Sequence, residues 1–115
     1  METELFSDGA YVLKIYTAEK DHMDGLPFYE WISQRACAAG IAGVTVIRGL
    51  GGFCSSNPVL SPAMGFIQIN RPVIVEIVDG KEDIEKFVRE IDDRIPRGLM
   101  TLEPIKTRFY GRKKK

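Results

Sequence analysis

The residues whose types and spacing best suit chemistry are Arg48-Gly49-Leu50-Gly51-Gly52-Phe53. Glycines let backbone N–H groups approach a phosphate or other anion closely. The segment is not a dinucleotide fingerprint, because Gly-x-Gly-x-x-Gly is absent and a loop follows it instead of a helix. A glycine-rich bend where a strand leaves its sheet accounts for the same residues. Lys106 and Arg108 lie two apart on an expected strand, so they share a face. A solvated basic strand end would look the same. His22 sits near Asp21 and Asp24, but one histidine and two acids are weak ligand spacing, and a solvated loop is the simpler account. Cys37 and Cys54 are too few for a disulfide framework and wrongly spaced for zinc. Cys37 falls in an alanine-rich helical stretch and is expected to be a small core residue. Cys54 is expected in a loop, with no base beside it. No Ser-His-Asp, Cys-His or paired-carboxylate arrangement stands out. The expectation is a protein that is not an enzyme and carries no resident cofactor or metal.

These residues need a scaffold. A chain of 115 residues has room for one domain and one core. Its hydrophobic content of 44% is that of a folded globular protein. No apolar run approaches the roughly 20 residues that span a bilayer, and positions 1–10 lack a basic signal-peptide region. A cytoplasmic location is expected. The formal charge of zero hides an asymmetry: positions 106–115 hold six of the 16 basic residues and no acid, leaving ten basic against 16 acidic residues before them. Such a tail can bind an anionic partner, or it can be a solvated end.

The expected elements follow from periodicity. Tyr11–Thr17 reads as a strand. Pro27 opens a helix on which Phe28, Ile32, Ala36 and Ala39 recur, flanked by Trp31 and Cys37, and Gly40 ends it. Gly43–Arg48 is the second strand and Pro72–Val78 the third. Asp79 with Glu82 resembles a capping box. Ile84, Phe87, Val88, Ile91 and Ile95 trace an amphipathic helix stopped by Pro96 and Gly98, while Glu82, Asp83, Glu85, Glu90, Asp92 and Asp93 mark mainly its wet face. Leu99–Phe109 holds the last strand, where Pro104 implies a bulge or an edge. Residues 53–71 form a connection longer than the usual 4–6 residues.

The order βαββαβ gives an α+β, ferredoxin-like sandwich: an antiparallel sheet with two helices on one face. In that topology the first and third strands are neighbours, and Lys14 faces Glu76. Val12, Lys14, Tyr16, Ile74, Glu76 and Val78 then form a half-apolar second face, as a subunit interface would. A homo-oligomer is predicted. The expected organisation is a flexible N-terminus (1–10), the domain (11–110) with its long loop (53–71), and a basic tail (111–115).

The stretch from Leu13 to Arg108 resembles the PII-like family known as domain of unknown function 190. The resemblance is carried by Leu13-Lys14-Ile15-Tyr16, by Gly25-Leu26-Pro27-Phe28-Tyr29-Glu30, and by Ala39-Gly40-Ile41-Ala42-Gly43-Val44-Thr45-Val46-Ile47-Arg48-Gly49 with Gly52-Phe53. Pro72–Asp79 and Gly98–Glu103 continue it. It implies a trimer related to the nitrogen regulatory PII proteins, which bind adenine nucleotides between subunits and change the shape of a long loop. It implies ligand contacts at Arg48, Gly49, Gly51, Gly52 and Phe53. Lys106 and Arg108 match the basic pair that holds phosphates, and Arg97 stands in the shortened counterpart of a phosphate-binding turn, Arg94–Gly98. Gly51 departs from the family, where an acid is usual.

What the resemblance implies is a regulatory homotrimer with a small anionic ligand, an adenine nucleotide among the candidates. It would signal through loop 53–71 to a partner such as a membrane transporter, with no nucleic acid involved. The alternative is a metal- or ion-tolerance protein of the trimeric copper-tolerance type, motivated by Cys54, His22 and the nearby acids.

Overall fold

The computed structural model describes residues 5–54, 57–59 and 70–111. Four strands make the main sheet: β1 (Ser7–Ala18), β4 (Gly43–Arg48), β7 (Pro72–Gly80) and β8 (Leu99–Thr107), in the order β4-β7-β1-β8 and antiparallel throughout. Helix α1 (Phe28–Ala38) follows β1, and α2 (Lys81–Ile91) follows β7. A short 3₁₀ turn (Asp92–Arg94) extends α2. This is the ferredoxin-like arrangement.

Alternation along the strands sends two different sets of side chains to the two faces. Leu13, Ile15, Val75 and Ile77 pack against Phe28, Trp31, Ile32 and Ala36 of α1 and against Ile84, Phe87 and Ile91 of α2. Both helices therefore cover one face. Val88 and Ile95 complete that packing, partly buried. The other face keeps its own rows. Gly43, Val78, Val12 and Glu103 stand in register across the four strands, as do Thr45, Glu76, Lys14 and Thr101, and then Ile47, Ile74, Tyr16 and Leu99. Lys14 lies directly opposite Glu76, as the alternation predicts. Pro104 sits on β8, an edge strand, where its missing N–H leaves no gap in a central ladder.

Four expectations need correction. The first strand begins at Ser7, not Tyr11, because Ser7 and Ala10 pair with Thr107 and Ile105; positions 7–10 belong to the domain and not to a flexible end. Asp79 does not cap α2. Gly80 occupies the N-cap, and the Asp79 carboxylate accepts the N–H groups of Gly80 (2.8 Å) and Ala42 (3.1 Å). Cys37 is exposed, not core, since one residue past Ala36 turns it away from the buried stripe. Residues 19–27 are more than a loop: β2 (His22–Met23) and β3 (Leu26–Pro27) pair across Asp24-Gly25, whose φ values are +54° and +80°. Asp-Gly is a preferred pair for such a tight hairpin.

Candidate functional site

The candidate residues gather at the two ends of the sheet. Strand β4 carries Arg48 to the end where β1 finishes and β7 starts. There Arg48 Nε lies 3.1 Å from the Glu19 carboxylate. Gly49 donates its N–H to the Pro72 carbonyl at 2.8 Å. A Cβ on Gly49 would stand 2.9 Å from Pro72 Cγ, so glycine here permits a close approach of two chain segments. That amide is used within the protein and is not offered to a ligand. Gly51 is half-buried in a bend. Gly52 has φ +151° and opens β5 (Gly52–Cys54), which pairs with β6 (Asn57–Val59). Phe53 sits opposite Pro58 in that hairpin. Most of the expected signalling loop, residues 55–56 and 60–69, lies outside the described residues.

The same end receives the turn after α2. Arg97 bonds Asp21 at 3.1 Å. Together with Lys20, His22 and Pro96 it lines an open cleft of about 420 Å³. Arg94 holds both carboxylate oxygens of Asp24 at 2.8 and 2.9 Å. Its guanidinium also lies 5.3 Å from the Trp31 ring centre, with Arg35 at 4.9 Å from the same ring. The acids around His22 are thus engaged by arginines. His22 Nδ1 lies 2.7 Å from the Lys20 carbonyl, which only accepts, so Nδ1 carries the proton. Among the described residues no group of three metal-ligating side chains forms.

Lys106 and Arg108 are elsewhere. Lys106 lies near the far end of β8, seven residues beyond Leu99 and so roughly 23 Å along a strand, and Arg108 lies just past that end. Within one chain they do not converge with Arg48, and the antiparallel ladder is the reason. Lys106 reaches Asp8 at 3.6 Å. Arg108 bonds the Tyr110 hydroxyl and the Leu5 carbonyl. It lines an open cleft of about 560 Å³ with Ser7, Gly80, Thr107 and Phe109 among its walls.

Sequence reasoning missed the partners. Asp21 and Asp24, expected in a solvated loop, each pair with an arginine, and so does Glu19 beside them. Arg71 was not singled out. Its Nε is buried with no hydrogen-bond partner among the described residues, which calls for an explanation in a folded protein. The signal available was the hairpin dipeptide Asp24-Gly25, which would have placed Asp21 and Asp24 against the turn at Arg94–Arg97.

Among the described residues no helix is long and apolar enough to cross a membrane. Comparison with known proteins adds the relatives. A UPF0166 protein of Aquifex aeolicus is 34% identical over 94 residues, covering 82% of this chain and 89% of that protein. A UPF0166 protein of Methanocaldococcus jannaschii is 33% identical over 82 residues, covering 71% and 75%. Among solved structures the fold is similar to CPII of Thiomonas intermedia K12 bound to ADP, AMP and acetate, with a TM-score of 0.61 at 16% identity over 93% of this chain and 92% of that one. A second CPII structure, described as a nitrogen regulatory PII-like protein bound to ADP, AMP and bicarbonate, gives 0.65 at 14% identity, over 87% and 89%. The family DUF190, described as "Uncharacterized ACR", matches residues 10–107, and this chain belongs to it.

Proposed function

We propose that the protein is a PII-like cytoplasmic regulator without catalytic activity of its own. It acts as a homotrimer that binds an adenine nucleotide, or a small anion like one, in clefts between subunits. It reports occupancy through segment 53–71 to a regulated partner, a membrane transporter being one candidate.

The carrying observation is the division of the cationic residues between the two ends of one sheet. Arg48 and Arg97 stand at one end, Lys106 and Arg108 at the other. A ligand with phosphates at one end and a flat base at the other needs both a cationic wall and an apolar one. One chain offers half of this at each end, and a neighbouring copy would complete it. The open face supplies a surface for that copy, since Ile47, Ile74, Tyr16 and Leu99 line up across all four strands, with Ile47 and Leu99 41% and 52% exposed. The far-end cavity of about 230 Å³ has walls of small residues, Ala10, Ala42, Gly43 and Gly80, under Phe109. Such a slot suits a planar ring. The bound ADP and AMP of the similarly folded CPII support the choice of nucleotide.

Calorimetric titration with ADP, AMP and ATP, beside light scattering for mass, tests the reading. Saturable binding by a trimer, lost in Arg108→Ala, is expected. A folded protein that binds none of the three would overturn the nucleotide assignment. A monomer would overturn the shared cleft.

A further inference from the structure

The far end of the sheet exposes apolar side chains that the clefts described above leave unused. Ser7 pairs with Thr107, so the residues before β1 and after β8 leave the sheet side by side. Four large apolar residues are exposed there: Leu5 (65%), Phe6 (51%), Phe109 (48%) and Tyr110 (76%). Phe109 is a wall of the cavity of about 230 Å³, to which Leu5, Phe6 and Tyr110 do not contribute. All four lie at the opposite end of β8 from Leu99, and so off the row Ile47, Ile74, Tyr16 and Leu99. Arg108 ties the two chain ends into one surface. It donates to the Leu5 carbonyl at 3.3 Å and, through Nε, to the Tyr110 hydroxyl at 3.0 Å. Its guanidinium lies 5.5 Å from the Tyr110 ring centre.

The charge beside this patch is of one sign. Lys106, Arg108, Arg112, Lys113, Lys114 and Lys115 stand in positions 106–115 with no acid among them. Four residues of chain span at most about 14 Å, so the cations at 112–115 stay within that distance of Gly111, the neighbour of Tyr110. The nearest acids are fewer. Asp8 lies 3.6 Å from Lys106, and Glu2 and Glu4 precede Leu5 in the sequence; six cations against these three acids leave an excess of three. Glu82 and Asp83 are set back on α2, which packs on the covered face of the sheet. Positions 1–105 as a whole carry ten basic against 16 acidic residues. An anionic plane would therefore attract this end and repel the remainder.

We infer that Leu5, Phe6 and Tyr110, with the basic run 112–115, form a docking surface for an anionic lipid bilayer. A bilayer satisfies both halves of the surface. The boundary of its acyl region takes leucine and phenylalanine side chains, and its headgroup phosphates meet the cations. Tyrosine suits the depth between them, with an apolar ring and a polar tip. A nucleic acid would use the cations and leave Leu5 and Phe6 in water. Runs of about 4–8 basic residues next to an apolar anchor are read by anionic headgroups. Either signal alone holds a protein weakly, and the two together hold it firmly enough to matter while keeping attachment reversible.

The test is co-sedimentation of the native protein with vesicles of phosphatidylcholine alone, and with vesicles of phosphatidylcholine and phosphatidylserine in equal parts. Uptake by the mixed vesicles only, weakened by salt, is expected. Two variants separate the halves: Phe6→Ser, an exposed position ahead of β1, and a tail variant combining Arg112→Gln, Lys113→Gln, Lys114→Gln and Lys115→Gln. Each should weaken uptake at least about tenfold. Should Phe6→Ser fail to fold, the tail variant and the lipid comparison decide. No uptake by mixed vesicles overturns the inference. So does uptake that the tail variant loses and a folded Phe6→Ser keeps, because the apolar half would then be idle. A DNA duplex that binds the native protein as tightly as the mixed vesicles do, and displaces it from them, overturns the lipid assignment in favour of nucleic acid. The readout needs no nucleotide, so its outcome is independent of the proposed function.

Discussion

Gly98 has φ +128°, and a Cβ there would meet the Tyr16 carbonyl oxygen at 2.9 Å. Two penalties thus fall on one substitution: a backbone region costly for L-residues and a clash with a strand that cannot give way. Gly111 also has positive φ, +85°, but nothing lies within 4 Å of its Cβ position. Gly98→Ala should lower stability by about 2–3 kcal/mol and Gly111→Ala by no more than about 1 kcal/mol, read from urea midpoints. Equal losses would mean that the contact with Tyr16 is immaterial. Single residues were also where sequence reading was least secure. The alanines around Cys37 look apolar in every direction, so periodicity could not say which side faces the sheet. Trp31, placed beside the stripe, is in fact buried within it. Arg48 stood out by type, but its partner Glu19 is 29 positions away and becomes adjacent only through the β4-β7-β1 order.

Elements were far more legible than contacts. Helix α2 follows its 3.6-residue period, and the buried Ile84, Phe87 and Ile91 are the residues that period selects. Strand β4 has the expected bounds, Gly43–Arg48, because glycines punctuate both ends. What misled was local chemistry with two uses. An Asp three residues before a Glu reads as a capping box, yet Asp79 already serves the Ala42 and Gly80 amides. It thereby fastens the start of β4 to the end of β7. Asp79→Ala should therefore destabilise by about 1–3 kcal/mol through orphaned backbone donors. Hydrogen exchange at Ala42 should rise, with little change within the later turns of α2. If protection were lost along α2 and kept at Ala42, the capping role would be restored.

At the scale of the molecule, the fold was legible because six strongly patterned segments allow few topologies, and right-handed crossovers leave the β4-β7-β1-β8 order. The site was legible only in part, because its residues divide between the ends of a sheet and the antiparallel ladder keeps them apart in one chain. Under the proposed function, that division makes assembly the property to test. The row Ile47, Ile74, Tyr16 and Leu99 is the most apolar on the open face, and the Lys14–Glu76 row beside it can fix the register of a neighbour. Ile74 is the best place to test this. It sits on central strand β7, on the face away from both helices, so a carboxylate there leaves the Leu13, Ile15, Val75 and Ile77 core untouched. Ile74→Asp is expected to yield a folded monomer with native circular dichroism. In the same preparation nucleotide binding should fall at least about tenfold under the proposed function, in which each cleft is shared between two chains. A trimer that survives Ile74→Asp would place the interface elsewhere. A monomer that still binds ADP at native affinity would show that the cleft does not need the neighbour, and the separation of Arg48 from Lys106 would then need a different explanation.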